Sequence, residues 1–387
     1  MEFGLPHRMI NLTNKHIFIS TGEASGDLLG GSLAQALFDV NPNLKIAGMG
    51  EHYMRAAGVE LIEDLSKMGV VGGVEVIKHL KDIYQTAKKI KQYLRQHRPN
   101  LVVLIDYPGF NLHIARAATK MGLKVLFYVS PQIWGWRYGR IKRIRRYVDH
   151  MAVLYRFEEA LYQKENVPVT FVGHPLKNVA KPTLSKTEAY KALQLDPDKP
   201  VIALFPGSRK QEIERLLTIM LDAKKLIQKA LPNVQFTLPL APTLNKNLIA
   251  DKLPTDITIV ENNTYNLLSI TDAAITCSGT ATLEIGLMNV PLVIIYKLAM
   301  PTYWALMCIT KTRHIGLCNI IAQEIVAQEY LQYQATAENI AKEAVKLILD
   351  KAYRQTIKQK LNRIQDGLGT GNPAKKAAAV VFELLQS

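Results

Sequence analysis

Three segments of this sequence combine residue types that could do chemistry. The first is Asp106-Tyr107-Pro108-Gly109-Phe110-Asn111, directly after the apolar run Leu101–Ile105. Such a run reads as a buried strand, and a carboxylate at a strand's C-terminal end, facing a cleft, is a candidate general base. The turn delays the next helix to about Asn111, which can cap it, so Asp106 is not needed as a cap. An Asx-turn or a buried ion pair would explain Asp106 about as well. The second segment is Pro206-Gly207-Ser208-Arg209-Lys210-Gln211. Ser208 and Gln211 fit a capping box, which starts a helix here. Arg209 and Lys210 then oppose the helix macrodipole, and something anionic must compensate. Glu212 and Glu214 could do so, and a bound diphosphate would do it better. The third runs from Cys277 through Ser278, Gly279, Thr280, Ala281, Thr282 and Leu283 to Glu284. Its small residues expose backbone N–H groups to an anion, and Glu284, one turn into the helix, could accept hydrogen bonds from ribose hydroxyls.

Two further loops are less specific. Gly22-Glu23-Ala24-Ser25-Gly26-Asp27 follows an apolar run and precedes a helix expected from about Leu28. It could let a ligand reach the backbone or be only a tight turn, and neither a full G-x-G-x-x-G nor a Walker pattern is present. Ser130-Pro131-Gln132-Ile133-Trp134-Gly135-Trp136 holds two of the three tryptophans, followed by Arg137, Arg140, Lys142, Arg143, Arg145 and Arg146. Indoles beside guanidiniums suit sugar rings, acyl chains, an anionic interface or RNA. Asp196-Pro197-Asp198 matches a metal-type D-x-D but reads as a turn, so no metal is assigned.

These loops need a scaffold that gathers strand ends. Candidate strands are Ile17–Thr21, Leu101–Ile105, Lys124–Val129, Met151–Leu154 and Val169–Val172. A second series is Val201–Leu204, Val234–Leu238, Ile257–Val260, Ala273–Thr276 and Leu292–Ile295. Helical patterns lie between them, and repeated βα units of this kind build parallel sheets covered by helices. The proline-rich stretch Gly173–Pro200 separates the two series. The expectation is therefore an α/β protein of two tandem Rossmann-like domains facing a cleft: residues 1–175, then 176–371. A last helix at 372–387 should pack back on the first domain or on a partner.

Composition narrows the class. Lysine plus arginine exceed aspartate plus glutamate by 15, which favours an anionic partner. Three cysteines without paired spacing argue for a reducing compartment. The first 16 residues carry no signal-peptide pattern. The apolar stretch Val290–Ile309 is better explained by a strand and a buried helix than by a membrane span. The apolar series Met68, Val70, Val71, Val74, Ile77 and Leu80, flanked by Lys78 and Lys81, is either a core helix or a membrane-docking segment.

Taken together, these segments resemble the lipid-A-disaccharide synthases, inverting glycosyltransferases of GT-B architecture. The signatures are Gly22–Asp27, Asp106–Asn111, Tyr128-Val129-Ser130-Pro131 with Trp134 and Trp136, Gly173-His174-Pro175, Pro206–Arg209, Ser278–Glu284 and Cys318-Asn319. The resemblance implies transfer of 2,3-diacylglucosamine from UDP-2,3-diacylglucosamine to 2,3-diacylglucosamine 1-phosphate, giving a β-1,6 disaccharide 1-phosphate and UDP. It implies Asp106 as base, Arg209 as a phosphate-binding arginine and Asn319 as an asparagine needed for activity. On this reading Gly207, Ser208, Arg209, Ser278, Gly279, Thr280, Ala281, Thr282 and Glu284 hold the UDP donor. Glu23, Ser25, Gly26, Asp27, Ser130, Trp134, Trp136, Val70, Val71 and Val74 serve the acceptor and its lipid. The resemblance implies no cofactor, no metal and no nucleic acid. It places the enzyme in the cytoplasm on the anionic inner face of the membrane, and a homodimer is left open. The chain departs from the family at Cys318, where proline is usual, and at Glu324-Ile325, where Arg-Glu is usual. The alternatives are another UDP-sugar enzyme of this architecture, such as a peptidoglycan glycosyltransferase or a UDP-sugar epimerase, and a basic RNA-binding protein.

Overall fold

Alternation of buried side chains along the strands builds the architecture. The computed structural model describes residues 15–65, 80–241, 244, 246, 249, 251–300, 303 and 314–387. The apolar positions Val70, Val71 and Val74 therefore lie outside the described residues. The chain divides into two units, residues 1–175 with 369–387, and residues 176–368.

The first unit holds seven parallel strands: β1 (His16–Ser20), β2 (Lys45–Gly50), β3 (Glu60–Asp64), β4 (Leu101–Ile105), β5 (Lys124–Tyr128), β6 (His150–Val153) and β7 (Val169–Phe171). Their order is β3-β2-β1-β4-β5-β6-β7. Ile17, Ile19, Leu101, Val103 and Ile105 face one core, shared with the helix Ala24–Val40 and the terminal helix Pro373–Gln386. Phe18, Val102 and Leu104 face the other core, shared with the helices Leu80–His97 and Pro108–Lys120. Burial on both faces is why these strands read as continuous apolar runs.

The second unit repeats the plan with six parallel strands: β8 (Val201–Phe205), β9 (Gln235–Leu240), β10 (Ile257–Glu261), β11 (Ala273–Cys277), β12 (Leu292–Tyr296) and β13 (Gln328–Leu331). Their order is β10-β9-β8-β11-β12-β13. In each sheet the order reverses once, between β1 and β4 and between β8 and β11. Open α/β sheets bind ligands outside the strand ends at such reversals. The loops at those two points are Gly22-Glu23 with Asp106-Tyr107, and Pro206–Arg209 with Ser278-Gly279.

Several helix starts differ from expectation. The first helix begins at Ala24, so Ser25, Gly26 and Asp27 lie in its first turn. The helix after β4 begins at Pro108, with its fixed φ suited to a first turn, and Asn111 is inside it instead of capping it. The helix after β8 begins at Lys210, not at a Ser208 cap. Among the described residues no helix is long and apolar enough to cross a membrane.

Candidate active site

In the first unit the site is built by a buried amide. Asn111 donates to the carbonyls of Ile105 (3.1 Å) and Asp106 (2.8 Å), and accepts from the Ser20 hydroxyl at 2.8 Å. It thus ties the ends of β1 and β4 together at the reversal. Asp106 and Tyr107 both take left-handed backbone, with φ of 48° and 46°. Two successive non-glycine residues in that region store strain that the Asn111 bonds hold in place. Gly22 is required opposite them, because a Cβ there would collide with the Tyr107 ring. Asp106 is half-buried, and desolvation first, then the nearby Glu23 carboxylate, push its pKa up to about 6. A base poised there is ionised near neutral pH yet basic enough to take a hydroxyl proton in the transition state. Two histidines of this unit, His174 and His113, are poorer bases. Burial drives His174 down to about 4, and desolvation, followed by Lys91, Arg116 and Arg143, lowers His113.

Other residues expected here have different work. Asp27 is fully buried, and its carboxylate accepts from the backbone N–H groups of Glu51 (2.7 Å), Tyr53 (2.7 Å) and Met54 (3.3 Å). It caps the start of the helix His52–Ala56. Gly26 is buried, and a Cβ there would meet Thr21 and Ile105. Ser130 is buried, donating to the Pro131 carbonyl at 2.9 Å and bonded to the Tyr162 hydroxyl at 2.8 Å. Trp134 donates to Glu158 at 3.1 Å, and Glu158 also accepts from Tyr155 N–H. Burial pushes Glu158 up to about 7. The polar atoms of Ser130 and Trp134 are thus spent on internal bonds. Glu23 and Ser25 are exposed, and Trp136 is half-buried under Arg137 and Arg140.

In the second unit a cavity of about 530 Å³ opens at the β8/β11 reversal. Gly207, Ser208, Arg209, Ser278, Gly279, Thr280, Ala281 and Glu284 all line it. Gly207 has φ 126°, and a Cβ there would sit 2.5 Å from Glu212 Oε2. That glutamate accepts from the N–H groups of Ser208 (3.0 Å) and Arg209 (3.2 Å) and pairs with the Arg209 guanidinium at 3.0 Å. The compensating anion at this helix start is therefore internal, one of the two explanations the sequence left open. Glu212 is 14% exposed and Arg209 is 77% exposed, so the arginine can turn to a ligand while the glutamate stays.

The opposite wall has no such plug. Thr280–Leu287 is a helix whose leading N–H groups lie at the cavity. Thr282 is the exception: it is buried, donates to the Gly279 carbonyl at 2.8 Å and accepts from Leu317 N–H at 3.0 Å, so it braces the turn and does not reach the cavity. Glu284 is oriented by the Tyr265 hydroxyl at 2.7 Å, and Tyr265 also lines the cavity. No local motif around Tyr265 signals that role.

Asn319 is fully buried. Its oxygen accepts from the N–H groups of Val326 (2.8 Å) and Ala327 (2.9 Å), and its nitrogen donates to the Ala327 carbonyl (2.8 Å) and to Glu329 (2.7 Å). Glu329 in turn accepts from Gly316 N–H (2.9 Å) and Ile315 N–H (3.0 Å), and Ser278 donates to the Ile315 carbonyl at 2.8 Å. The Asn319 amide is thus spent on these bonds and is linked to the cavity wall through Glu329 and Ser278. At the departures from the family pattern, Cys318 is buried core, and Glu324 pairs with Lys360 at 2.8 Å. Among the described residues, no cluster of three His, Cys, Asp or Glu side chains could hold a metal.

Comparison with known proteins fits this geometry. A family model described as "Lipid-A-disaccharide synthetase" matches residues 17–381. A lipid-A-disaccharide synthase of Coxiella burnetii (strain Dugway 5J108-111) is 52% identical over 376 residues, covering 97% of this chain and 100% of that protein. Among solved structures, a putative UDP-N-acetylglucosamine 2-epimerase from Listeria monocytogenes is similar with a TM-score of 0.65 at 13% identity, covering 97% of both chains. The UDP-GlcNAc 2-epimerase of Neisseria meningitidis, solved bound to UDP-GlcNAc, has a TM-score of 0.60 at 16% identity, over 97% of this chain and 100% of that one. At such low identity these structures show the fold alone, which is the GT-B type. The family model and the Coxiella relative go further, and by them this chain belongs to the lipid-A-disaccharide synthase family of glycosyltransferases.

Proposed function

We propose that this chain transfers 2,3-diacylglucosamine from UDP-2,3-diacylglucosamine to 2,3-diacylglucosamine 1-phosphate, with Asp106 as base and the second unit holding UDP. The C6 hydroxyl oxygen of the acceptor attacks the anomeric carbon of the donor opposite the UDP group. The bond from that carbon to the β-phosphate oxygen breaks, its electron pair leaves with UDP, and the hydroxyl proton passes to Asp106. Attack from the far face inverts the anomeric centre, giving the β-1,6 disaccharide 1-phosphate. The diphosphate is a good leaving group, so stabilising its charge stands in for the general acid of a glycosidase.

One observation carries the reading: Arg209, the first turn of Thr280–Leu287 and the Tyr265-oriented Glu284 all line one cavity of about 530 Å³. A helix start and a guanidinium suit a diphosphate, and a fixed carboxylate suits a ribose. The acceptor's chains stay in lipid because each buried methylene is worth about 0.8 kcal/mol, so the reaction belongs on a membrane face. The excess of 15 cationic over anionic side chains suits an anionic bilayer. The test is to supply both acylated sugars to the purified protein and identify the product by mass and anomeric coupling. An α-linked or 2-epimerised product would refute the reading.

A further inference from the structure

A second cavity, of about 490 Å³, is lined by residues of the first unit alone. It is lined by Pro108, Gly109 and Leu112 on one side and by Arg137, Gly139, Arg140 and Arg143 on the other. The three arginines are not a random part of the basic stripe. Lys142, Arg145 and Arg146 do not line the cavity. Arg137 turns in through left-handed backbone, with φ 55°. Its guanidinium lies 4.4 Å from the Trp136 ring centre, and that of Arg140 lies 5.2 Å from the same ring. Stacking on an indole fixes a guanidinium plane and leaves its N–H edge for a ligand.

Charge balance at this place is incomplete. Among the described residues no carboxylate pairs with Arg137, Arg140 or Arg143. Burial first, then Arg137 and Arg143, pull Arg140 below the usual guanidinium pKa. The other wall adds to the positive potential, because it is the start of the thirteen-residue helix Pro108–Lys120. A Cβ at Gly109 or Gly139 would meet nothing within 4 Å, so the cavity has room at both walls.

We propose that this cavity is a phosphate-monoester subsite, and that it holds the 1-phosphate of the acceptor sugar. Three forked donors and a helix start match the three terminal oxygens of a monoester dianion better than the two of a carboxylate. Placement agrees with this. Successive Cα atoms are about 3.8 Å apart, so Pro108 lies at most about 7.6 Å along the chain from Asp106. In a pyranose the anomeric carbon and C5, which bears C6, are both bonded to the ring oxygen, so the C6 hydroxyl and the 1-phosphate lie within that short reach of each other. With the phosphate here, the attacking hydroxyl reaches toward Asp106, and the wrong end of the sugar is not presented. This inference rests on the acceptor assigned above, but the cavity's taste for a phosphate monoester can be measured without turnover.

The experiment is calorimetric titration with glucosamine 1-phosphate and with glucosamine, both in saturating UDP so that the nucleotide cavity is closed to the probe. The proteins are wild type and the double variant Arg140→Gln with Arg143→Gln, with circular dichroism melts run in parallel. The expected result is preference for glucosamine 1-phosphate in wild type, reduced about tenfold or more in the variant through loss of charge-assisted bonds, at an unchanged melting temperature. Single variants Arg140→Lys and Arg143→Lys, which keep charge, should be intermediate, and they replace the double variant if it melts early. Flotation with phosphatidic acid vesicles separates a lipid headgroup from the sugar phosphate. A variant that loses flotation but still binds glucosamine 1-phosphate like wild type overturns the proposal, as does a wild type that binds glucosamine equally well. Failure of UDP itself to bind would count against the proposed function, and the titration without UDP would still decide the subsite.

Discussion

Changing Asp106 to asparagine should lower activity and raise stability together, and the pH dependence of the second effect is the sharper test. The side chain keeps its shape, and asparagine tolerates the left-handed backbone at φ 48° as well as aspartate does. What disappears is a half-buried negative charge beside Glu23. In the folded protein the Asp106 pKa is about 6, against an ordinary 3.8. Below pH 3.8 the carboxyl is protonated folded and unfolded, and its burial carries no ionisation penalty. As pH rises through 6 the folded protein must ionise it where the unfolded chain has already done so more easily. At roughly 1.36 kcal/mol per pK step, the native state is then weakened by about 3 kcal/mol, an upper figure for a partly solvated group. Asp106→Asn should remove this penalty. The variant should be more stable than wild type at pH 8, and the advantage should shrink as pH falls from 6 toward 4. Thermal melts of both proteins across pH 4 to 8 give the difference directly. Turnover at pH 8 should drop about 100-fold or more, with UDP affinity unchanged. Wild-type turnover should itself decline as pH falls through about 6. A variant less stable than wild type at pH 8, or a gap independent of pH, would refute the assignment of a strained, desolvated base.

The remaining predictions concern the second unit and the membrane. Arg209→Ala and Glu284→Ala should each weaken UDP binding by about 1.5–3 kcal/mol, read by calorimetry, and unchanged affinity in both would remove the nucleotide from this cavity. Asn319→Ala strands two buried N–H groups and loosens Glu329, so it should cost about 2–4 kcal/mol in chemical denaturation and weaken UDP through Ser278. If that variant is stable and still binds UDP normally, the positioning chain is wrong. The double change Val70→Ser with Val71→Ser should abolish vesicle flotation at an unchanged melting temperature. Early melting would instead mark the segment as core.

Legibility followed the locality of the signal. Ten strands could be read from short apolar runs because both sheets are buried on both faces, and β4 was legible to the residue. The missed strands lack that signature. β13, Gln328–Leu331, is a half-buried edge strand and reads as polar. β2 contains Gly48, where a Cβ would run into the Ile19 carbonyl, so a packing requirement looks like a turn signal. The Asp106 turn and the loops that line the second unit's cavity were legible because strand ends and helix starts confine them to short motifs. Asn111, Glu329 and Tyr265 act through partners in space, whereas Glu212 serves residues three and four positions before it. Asn111 meets Ser20 across 91 positions of sequence, and no spacing rule reaches that far. Asp27 was expected among the acceptor contacts and Asn319 to be needed for activity, both because of their places in family motifs. The structure spends both on buried backbone N–H groups, which cost more to leave unpaired than most ligands repay.

The most direct test of the central claim follows UDP and product in one reaction. Purified protein receives UDP-2,3-diacylglucosamine on anionic vesicles, with and without 2,3-diacylglucosamine 1-phosphate, and both UDP and disaccharide are counted over time. UDP release should require the acceptor, with one β-1,6 disaccharide 1-phosphate formed per UDP. UDP released at the same rate without acceptor, or donor consumed with no disaccharide, would contradict that claim.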